Sequence, residues 1–399
     1  MSSPNTSNTE KVLPSGVTHG ASADEYGALD KAEMYWTDQY LWLLSKGYQL
    51  RPRHHPNWKP SWWPAKLPRK FPCEDAKYLT DNKLNDATRL ADGAHVVLKR
   101  IPHVILRFKT EEASILQYFS QGEVASDPRN HCVPCTEILR PPNDDQGVLA
   151  VMPILRKFDD PPFETKGEAI DFIRQVLVGF EFLHEYRVAH RDVRTDNIML
   201  DGQSLGVDKF HYTDPDRTYD LKRRVRFRKT RTKARPRYYI IDFGFSTHFT
   251  AESMPPLALP RPASDQTLPE LNHMFTPCDP FAVDVYYIGN FLRMEFIDGN
   301  PNNRKRNGRE GYEFLRPLID SMTKENPSER GTMTQSIKTF DEIASTLSTS
   351  TLRSRDKRIY GRWLFREPLA TRVVNRVGYW CRRTRYSILR VPPIPAGET

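Results

Sequence analysis

Cysteine is scarce in this chain, five residues in 399, which is too few for a disulfide framework and suits a reducing compartment. The one local cluster, His131-Cys132-Val133-Pro134-Cys135, has no second CxxC or HxxxH to complete four zinc ligands. Long apolar runs are missing as well: nothing approaches the roughly 18 uncharged residues of a spanning helix. The opening MSSPNTSNTE has neither the basic start nor the apolar run of a secretory signal. These absences argue for an intracellular protein, in cytoplasm or nucleus, with no membrane span. G-x-S-x-G and Walker A sequences do not occur, nor does the H-x-E with P-C-x-x-C of zinc deaminases. No internal repeat is visible, which sets solenoids and propellers aside.

What is present is a core-forming composition. Hydrophobic residues make up 38% and charged ones 27%, so the length allows one large two-lobed domain or two ordinary ones. Charge is uneven. The net value is +9, yet Lys222–Arg237 carries +10 with no acid, and Arg353–Arg390 carries another +10, leaving −11 on everything else. An acidic body with two basic additions describes this better than a basic nucleic-acid-binding domain.

Residues 1–25 are polar and read as a disordered terminus. Residues 26–75 read as a helix over Leu29 to Lys46, ended by Gly47, followed by a Pro- and Trp-rich strap (Trp58, Trp62, Trp63, with Pro60, Pro64, Pro68 and Pro72). Strand-like patterns then run from 76 to 153, including a hairpin with Asp92-Gly93 in its turn and strands near 136–139 and 148–153. A helix is expected near 111–119. Apolar residues recurring at three and four from Glu168 to Tyr186 predict a long one, and further helices are expected near 284–296, 311–324 and 334–347. The expectation is an α+β protein, a small β-rich half before a larger helical half.

Two motifs carry the chemistry. His190-Arg191-Asp192-Val193-Arg194-Thr195-Asp196-Asn197 follows one apolar run, and Asp242-Phe243-Gly244 follows another. In these residues the chain resembles the eukaryotic protein kinase family, whose catalytic loop reads HRD with an Asn five residues after the Asp. The resemblance runs from about 76 to 349 and implies a bilobal protein-kinase-like fold, with an N-lobe over 76–153, a C-lobe over 154–349, a basic insertion at about 203–237, and a basic extension over 350–399. Three stretches, Gly47-Tyr48-Gln49-Leu50-Arg51-Pro52-Arg53, Asn130-His131-Cys132-Val133-Pro134 and Tyr238–Gly244, are further similar to kinase-like proteins of mushroom-forming fungi.

The resemblance implies ATP and Mg²⁺ as ligands and a protein hydroxyl, Ser or Thr on family base rates, as acceptor. Asp192 would orient the attacking hydroxyl, with Arg194 where the family has a lysine. Asn197 and Asp242 would offer oxygens to the metal. Lys99, in Val96-Val97-Leu98-Lys99, would hold phosphates and pair with Glu112. Met152 falls at the gatekeeper position, and Pro153 and Leu155 would meet adenine through a carbonyl and an N–H. His190, Arg191, Phe243 and Gly244 complete the motifs. Asp284 would tether the catalytic loop, and Glu270 would pair with Arg330. Arg191 also suggests control by phosphorylation of the following segment, at Ser264 or Thr267.

Three departures stand out. Lys77–Ala87, where the glycine-rich phosphate loop belongs, contains no glycine. Arg replaces Lys at 194. Asn197 and Asp242 are 45 positions apart, where about a dozen residues suffice for the intervening hairpin. A pseudokinase that binds partners without transferring phosphate is therefore the alternative, and an aminoglycoside-type small-molecule kinase is disfavoured by Arg191 and Phe243-Gly244. The Lys222–Arg237 run has three readings: a solvated disordered insertion, a nuclear-localisation or nucleic-acid patch, or a dock for an acidic or phosphorylated partner. The basic tail, with Trp363, Phe365, Tyr379 and Trp380 among its arginines, either packs on the acidic body or meets anionic lipid or RNA.

Overall fold

A computed structural model describes residues 29–62, 73–79, 81–105, 108–263, 265–301, 307–359 and 369–396. The expected disordered terminus, residues 63–72 of the strap including Trp63 and Pro64, the candidate site Ser264, and Trp363 and Phe365 lie outside them. The chain is mixed α/β. Helix α1 (Lys31–Ser45) opens with a capping box, in which the Asp30 carboxylate accepts from the Glu33 N–H at 2.8 Å and Glu33 accepts from the Asp30 N–H at 3.2 Å. Gly47, at φ +84°, turns the chain into strand β1 (Tyr48–Leu50). Strands β2 (Leu84–Arg89) and β3 (His95–Pro102) form the expected hairpin, with Gly93 at φ +70°. Helix α2 (Glu112–Phe119) and strands β4 (Glu137–Leu139) and β5 (Gly147–Pro153) follow. The sheet runs β1-β2-β3-β5-β4, antiparallel throughout.

Period-two alternation decides which side each residue serves. Val96, Leu98, Leu149 and Val151 face a core built with Trp36, Leu43 and Leu50 of α1 and β1. Ile101, Val148, Ala150 and Met152 face the opposite way, onto Ile115, Leu116 and Phe119 of α2. Lys99 shares the parity of Ile101 and pairs in register with Ala150, so its side chain rises on the α2 face. Because β1 belongs to this sheet and α1 covers it, residues 31–50 join the sheet's own core; the expected boundary at 76 falls inside one packed unit. Arg53 ties the start of the strap to α1 through Glu33, at 2.5 and 2.8 Å.

The helical half begins with strand β6 (Arg156–Lys157) and helix α3 (Lys166–Glu185), capped by Thr165. Strands β7 (Val188–Ala189) and β8 (Ile198–Leu200) lead into the insertion, which holds a hairpin of β9 (Phe210–His211) and β10 (Asp214–Thr218). Strand β11 (Tyr238–Ile240) returns beside β8, giving the order β11-β8-β6, and β12 (Thr247–His248) pairs with β7. Helices α4 (Pro280–Leu292), α5 (Arg316–Met322), α6 (Met333–Ser345) and α7 (Leu369–Ile388) complete the chain. Helix α4 extends through a π turn, Arg293–Ile297.

The insertion is not a solvated segment. Leu205, Phe210 and Leu221 are buried, and so is Arg231, whose guanidinium donates to Tyr238 Oη at 2.5 Å and to the Phe158 carbonyl at 2.9 Å. Apolar residues between the charges give it a face to bury. The tail also packs. Tyr379 and Tyr386 of α7 are buried, and Arg382 pairs with Glu164. Gly167 permits the close approach of Pro393, whose carbonyl oxygen lies 1.9 Å from where a Cβ would sit. No helix among the described residues is long and apolar enough to cross a membrane.

Candidate functional site

The site forms where β3, α2 and the turn after β11 converge. Lys99 Nζ donates to Glu112 Oε1 at 2.5 Å and to Asp242 Oδ1 at 2.7 Å. The Glu112 side chain is 2% exposed while that of Asp242 is 45% exposed, so the first holds the lysine from inside and the second opens to solvent. Burial alone lowers the affinity of the Lys99 amine for its proton, but the two carboxylates outweigh that and hold it above its ordinary value. Asp242 is affected conversely: burial raises its carboxyl, and the adjacent ammonium brings it below the usual range. The Phe243 N–H donates to Glu112 Oε1 at 3.2 Å. A Cβ on Gly244 would meet Ile105 Cδ1 at 3.2 Å and Asp242 Oδ1 at 3.3 Å, so a side chain there would crowd the carboxylate.

The β8–β11 pairing brings the second motif to the first. Ile198 lies opposite Ile240, and the Ile241 N–H donates to the Asn197 carbonyl at 3.0 Å; the long insertion between them leaves this register intact. Asn197 Nδ2 donates to the Asp192 carbonyl at 2.8 Å and to Asp192 Oδ2 at 3.2 Å, fixing the loop and the carboxylate together. Arg194 reaches Asp196 at 2.9 Å.

The loop carrying Asp192 is held from below by Asp284, fully buried in α4. Its carboxylate accepts from the Arg191 N–H at 2.6 Å, from the His190 N–H at 2.7 Å, and from His184 Nε2 at 3.0 Å. Arg191 sits at φ +67°, a conformation that needs such support in a non-glycine residue. Burial, with Arg261 nearby, lowers its guanidinium to about 10. That guanidinium donates to Thr247 Oγ1 at 3.1 Å and to the Leu259 carbonyl. Thr267 is engaged elsewhere, giving its hydroxyl to Asp265 at 2.7 Å and accepting from Asn290 at 3.0 Å. His190 lies edge-on to Phe243 with ring centroids 5.3 Å apart, and its Nε2 meets the Ile241 carbonyl at 3.0 Å.

Glu270 and Arg330 form a bidentate buried pair, at 2.6 and 3.0 Å. Met152 lies opposite Val97 and Pro153 opposite Val96, so Met152 shares the face of Lys99 while Leu155 packs against the main core. His131 and Cys132 are core residues, His131 Nδ1 meeting the Tyr238 carbonyl at 2.7 Å. No metal-binding cluster of His, Cys, Asp and Glu occurs among the described residues.

No motif in the sequence marks His184 as a partner of Asp284, or Thr247 and Leu259 as the partners of Arg191. An acceptor one hundred positions away leaves no local signature. Nor does any motif mark what covers the lysine face. Asp86 and Thr88 of β2 share the side of His95, Val97 and Lys99. Asp86, fully buried, meets His95 Nε2 at 2.8 Å and Arg51 Nε at 2.8 Å. The β9–β10 hairpin lies over them. Phe210 and Tyr219 ring the His95 imidazole at 6.3 and 5.3 Å, Lys77 pairs with Asp214 at 2.8 Å, and Arg156 stands over Phe210 at 4.5 Å and donates to the Pro215 carbonyl at 2.8 Å.

No protein-family model matches the chain, and no curated protein does.

Proposed function

We propose that this chain has a bilobal protein-kinase-like fold and acts as a phosphotransferase, with Mg-ATP as phosphoryl donor and a Ser or Thr hydroxyl of a protein as acceptor. One observation carries the reading: Lys99, 143 positions before Asp242, meets both that carboxylate and Glu112 within 2.7 Å. A lysine kept charged between a buried and an open carboxylate is suited to attract phosphate oxygens. Asp242, held ionised and half open, and the Asn197 amide oxygen make a hard oxygen donor set of the kind Mg²⁺ takes. When bound, the metal neutralises charge on the phosphates. Asp192, positioned by Asn197 and by the Asp284 tether, is the group to orient and accept the proton of an attacking hydroxyl. The Lys99–Glu112 pair lets the sheet and α2 act as one body toward the phosphates.

A second reading, a pseudokinase that binds without transferring, is favoured by the β9–β10 hairpin. It overlies the face of β2 and β3 that Lys99 shares, and the segment before β2 has no glycine to let backbone amides approach a phosphate.

Thermal shift with Mg-ATP, followed by transfer of label to the chain itself and to casein, separates the readings. For the enzyme, wild type binds and transfers, and Asp192→Asn lowers the rate by about 10² to 10⁴-fold. Binding without transfer, in wild type and in a Phe210→Ala/Tyr219→Ala variant that loosens the hairpin, supports the pseudokinase. No nucleotide binding by either protein overturns the nucleotide-site reading altogether.

A further inference from the structure

A cavity of about 1170 Å³ lies where the two basic additions meet, and none of the Lys99–Asp242 cluster lines it. One wall is the insertion from Phe227 to Lys233, a second is the segment from Arg355 to Arg358, and a third is α7. Ten lysines and arginines line it against five carboxylates, a surplus of five positive charges. The carboxylates are already satisfied: Glu164 pairs with Arg382, Asp159 with Arg358 at 3.0 Å, and Glu168 accepts from the Thr232 N–H and hydroxyl at 2.9 and 2.7 Å. Arg228 is met from outside the cavity by Asp208 at 2.7 Å, and the remaining uncompensated charge sits on Lys229, Lys233, Arg355 and Arg385, all exposed and without an ion pair among the described residues. Such cations are free to take an anion without breaking anything.

The charge of the lining narrows the anion. The space, about 1170 Å³, lies just above the roughly 300–1,000 Å³ of ordinary small-molecule pockets, which leaves room for a ligand bearing several phosphates. About two to three phosphate monoesters, at −1.5 to −2 each, would neutralise these four cations. A nucleic-acid strand would instead want open aromatic platforms for its bases. The rings lining this cavity are taken: Phe163 lies under the Arg231 and Arg309 guanidinium groups at 4.8 and 5.0 Å, Phe227 under Arg156 at 5.2 Å, and Tyr379 and Tyr386 are buried. Arg forks and mobile lysine ammonium groups suit phosphate oxygens.

We propose that this cavity binds a compact, multiply phosphorylated small molecule, its phosphates held by Lys229, Lys233, Arg355 and Arg385, and that the ligand fastens α7 and the insertion to each other. This site is separate from the candidate phosphotransfer site, and its test reads binding alone.

The test is calorimetric titration of the full chain with inositol hexakisphosphate and with tripolyphosphate at about 0.15 M salt, where the screening length is ~8 Å. Micromolar binding is expected. Lys229→Gln/Arg355→Gln/Arg385→Gln should weaken it by about tenfold for each contact removed, roughly 10³-fold in total. Lys222→Gln/Arg223→Gln/Arg224→Gln removes equal charge outside the cavity and should leave it within about threefold. The six residues are exposed, and circular dichroism verifies that both variants fold. Cosedimentation with phosphatidylcholine vesicles carrying phosphatidylinositol bisphosphate, lost in the first variant, would assign the phosphates to a lipid headgroup; titration by the soluble compounds alone assigns them to a free metabolite. Failure of wild type to bind any of these probes overturns the proposal. So does equal weakening by the two variants, or preferential binding of a single-stranded oligonucleotide that inositol hexakisphosphate cannot displace.

Discussion

Asp284→Asn tests the tether beneath the loop that carries Asp192 with almost no change of volume. The carboxylate accepts three hydrogen bonds, from the Arg191 and His190 N–H groups at 2.6 and 2.7 Å and from His184 at 3.0 Å. An asparagine keeps one acceptor oxygen and turns an NH₂ toward a backbone N–H, donor against donor, in a fully buried setting. The change loses at least one charge-assisted bond, worth about 1.5–3 kcal/mol, and leaves its donor unsatisfied, so ~3 kcal/mol is the expected loss. For a chain of 399 residues that lowers the melting temperature by roughly 3–4 °C. Differential scanning fluorimetry reads the shift, and amide exchange over residues 188–197 reads the loop, since Arg191, at φ +67°, has its N–H held by Asp284 alone among the described residues. His184→Gln, which removes only the outermost of the three contacts, should lose about 1 kcal/mol. A melting point within about 1 °C of wild type, together with unchanged exchange in the loop, would refute the tether argument.

Two further perturbations follow from burial. Arg330 has its side chain fully buried and all three nitrogens occupied, by Glu270 and by the carbonyls of Lys324, Ala282 and Glu325; Arg330→Leu should lose about 3–5 kcal/mol by urea titration, and Glu270→Leu/Arg330→Leu less than that. A double variant as unstable as the sum of the singles would contradict a charge-pair origin. His54 and His131 are held neutral by burial, each lowered to about 4. The unfolded chain takes up protons below the ordinary value near 6.5, while the folded chain takes them up only near 4. Stability is therefore full above that ordinary value and falls as pH drops, by about 1.4 kcal/mol per pH unit for each histidine. Urea midpoints between pH 7 and 5 should fall less steeply in His131→Asn than in wild type; parallel slopes would exclude this histidine.

Much of the site was legible because its signals are local. The helices near 31–45, 112–119 and 166–185 follow from apolar spacing within a few turns, and the parity that turns Lys99 to the α2 face follows from alternation along one strand. The resemblance marked Lys99, Glu112, Asp192, Asn197 and Asp242 as candidates from short motifs. Their meeting was another matter, since it depends on β8 and β11 pairing across the 37 residues that separate the two strands.

Sequence by itself determined the periodicities, the caps and the positions of chemically capable side chains, because each depends on neighbours a few residues away. Tertiary structure alone decided that Asp284 would take His184 as a third donor, that a hairpin of the insertion would cover one face of the sheet, and that two basic segments more than a hundred positions apart would wall one cavity. Those outcomes depend on which distant surfaces bury together, and a charge count along the chain does not record where its charges come to rest.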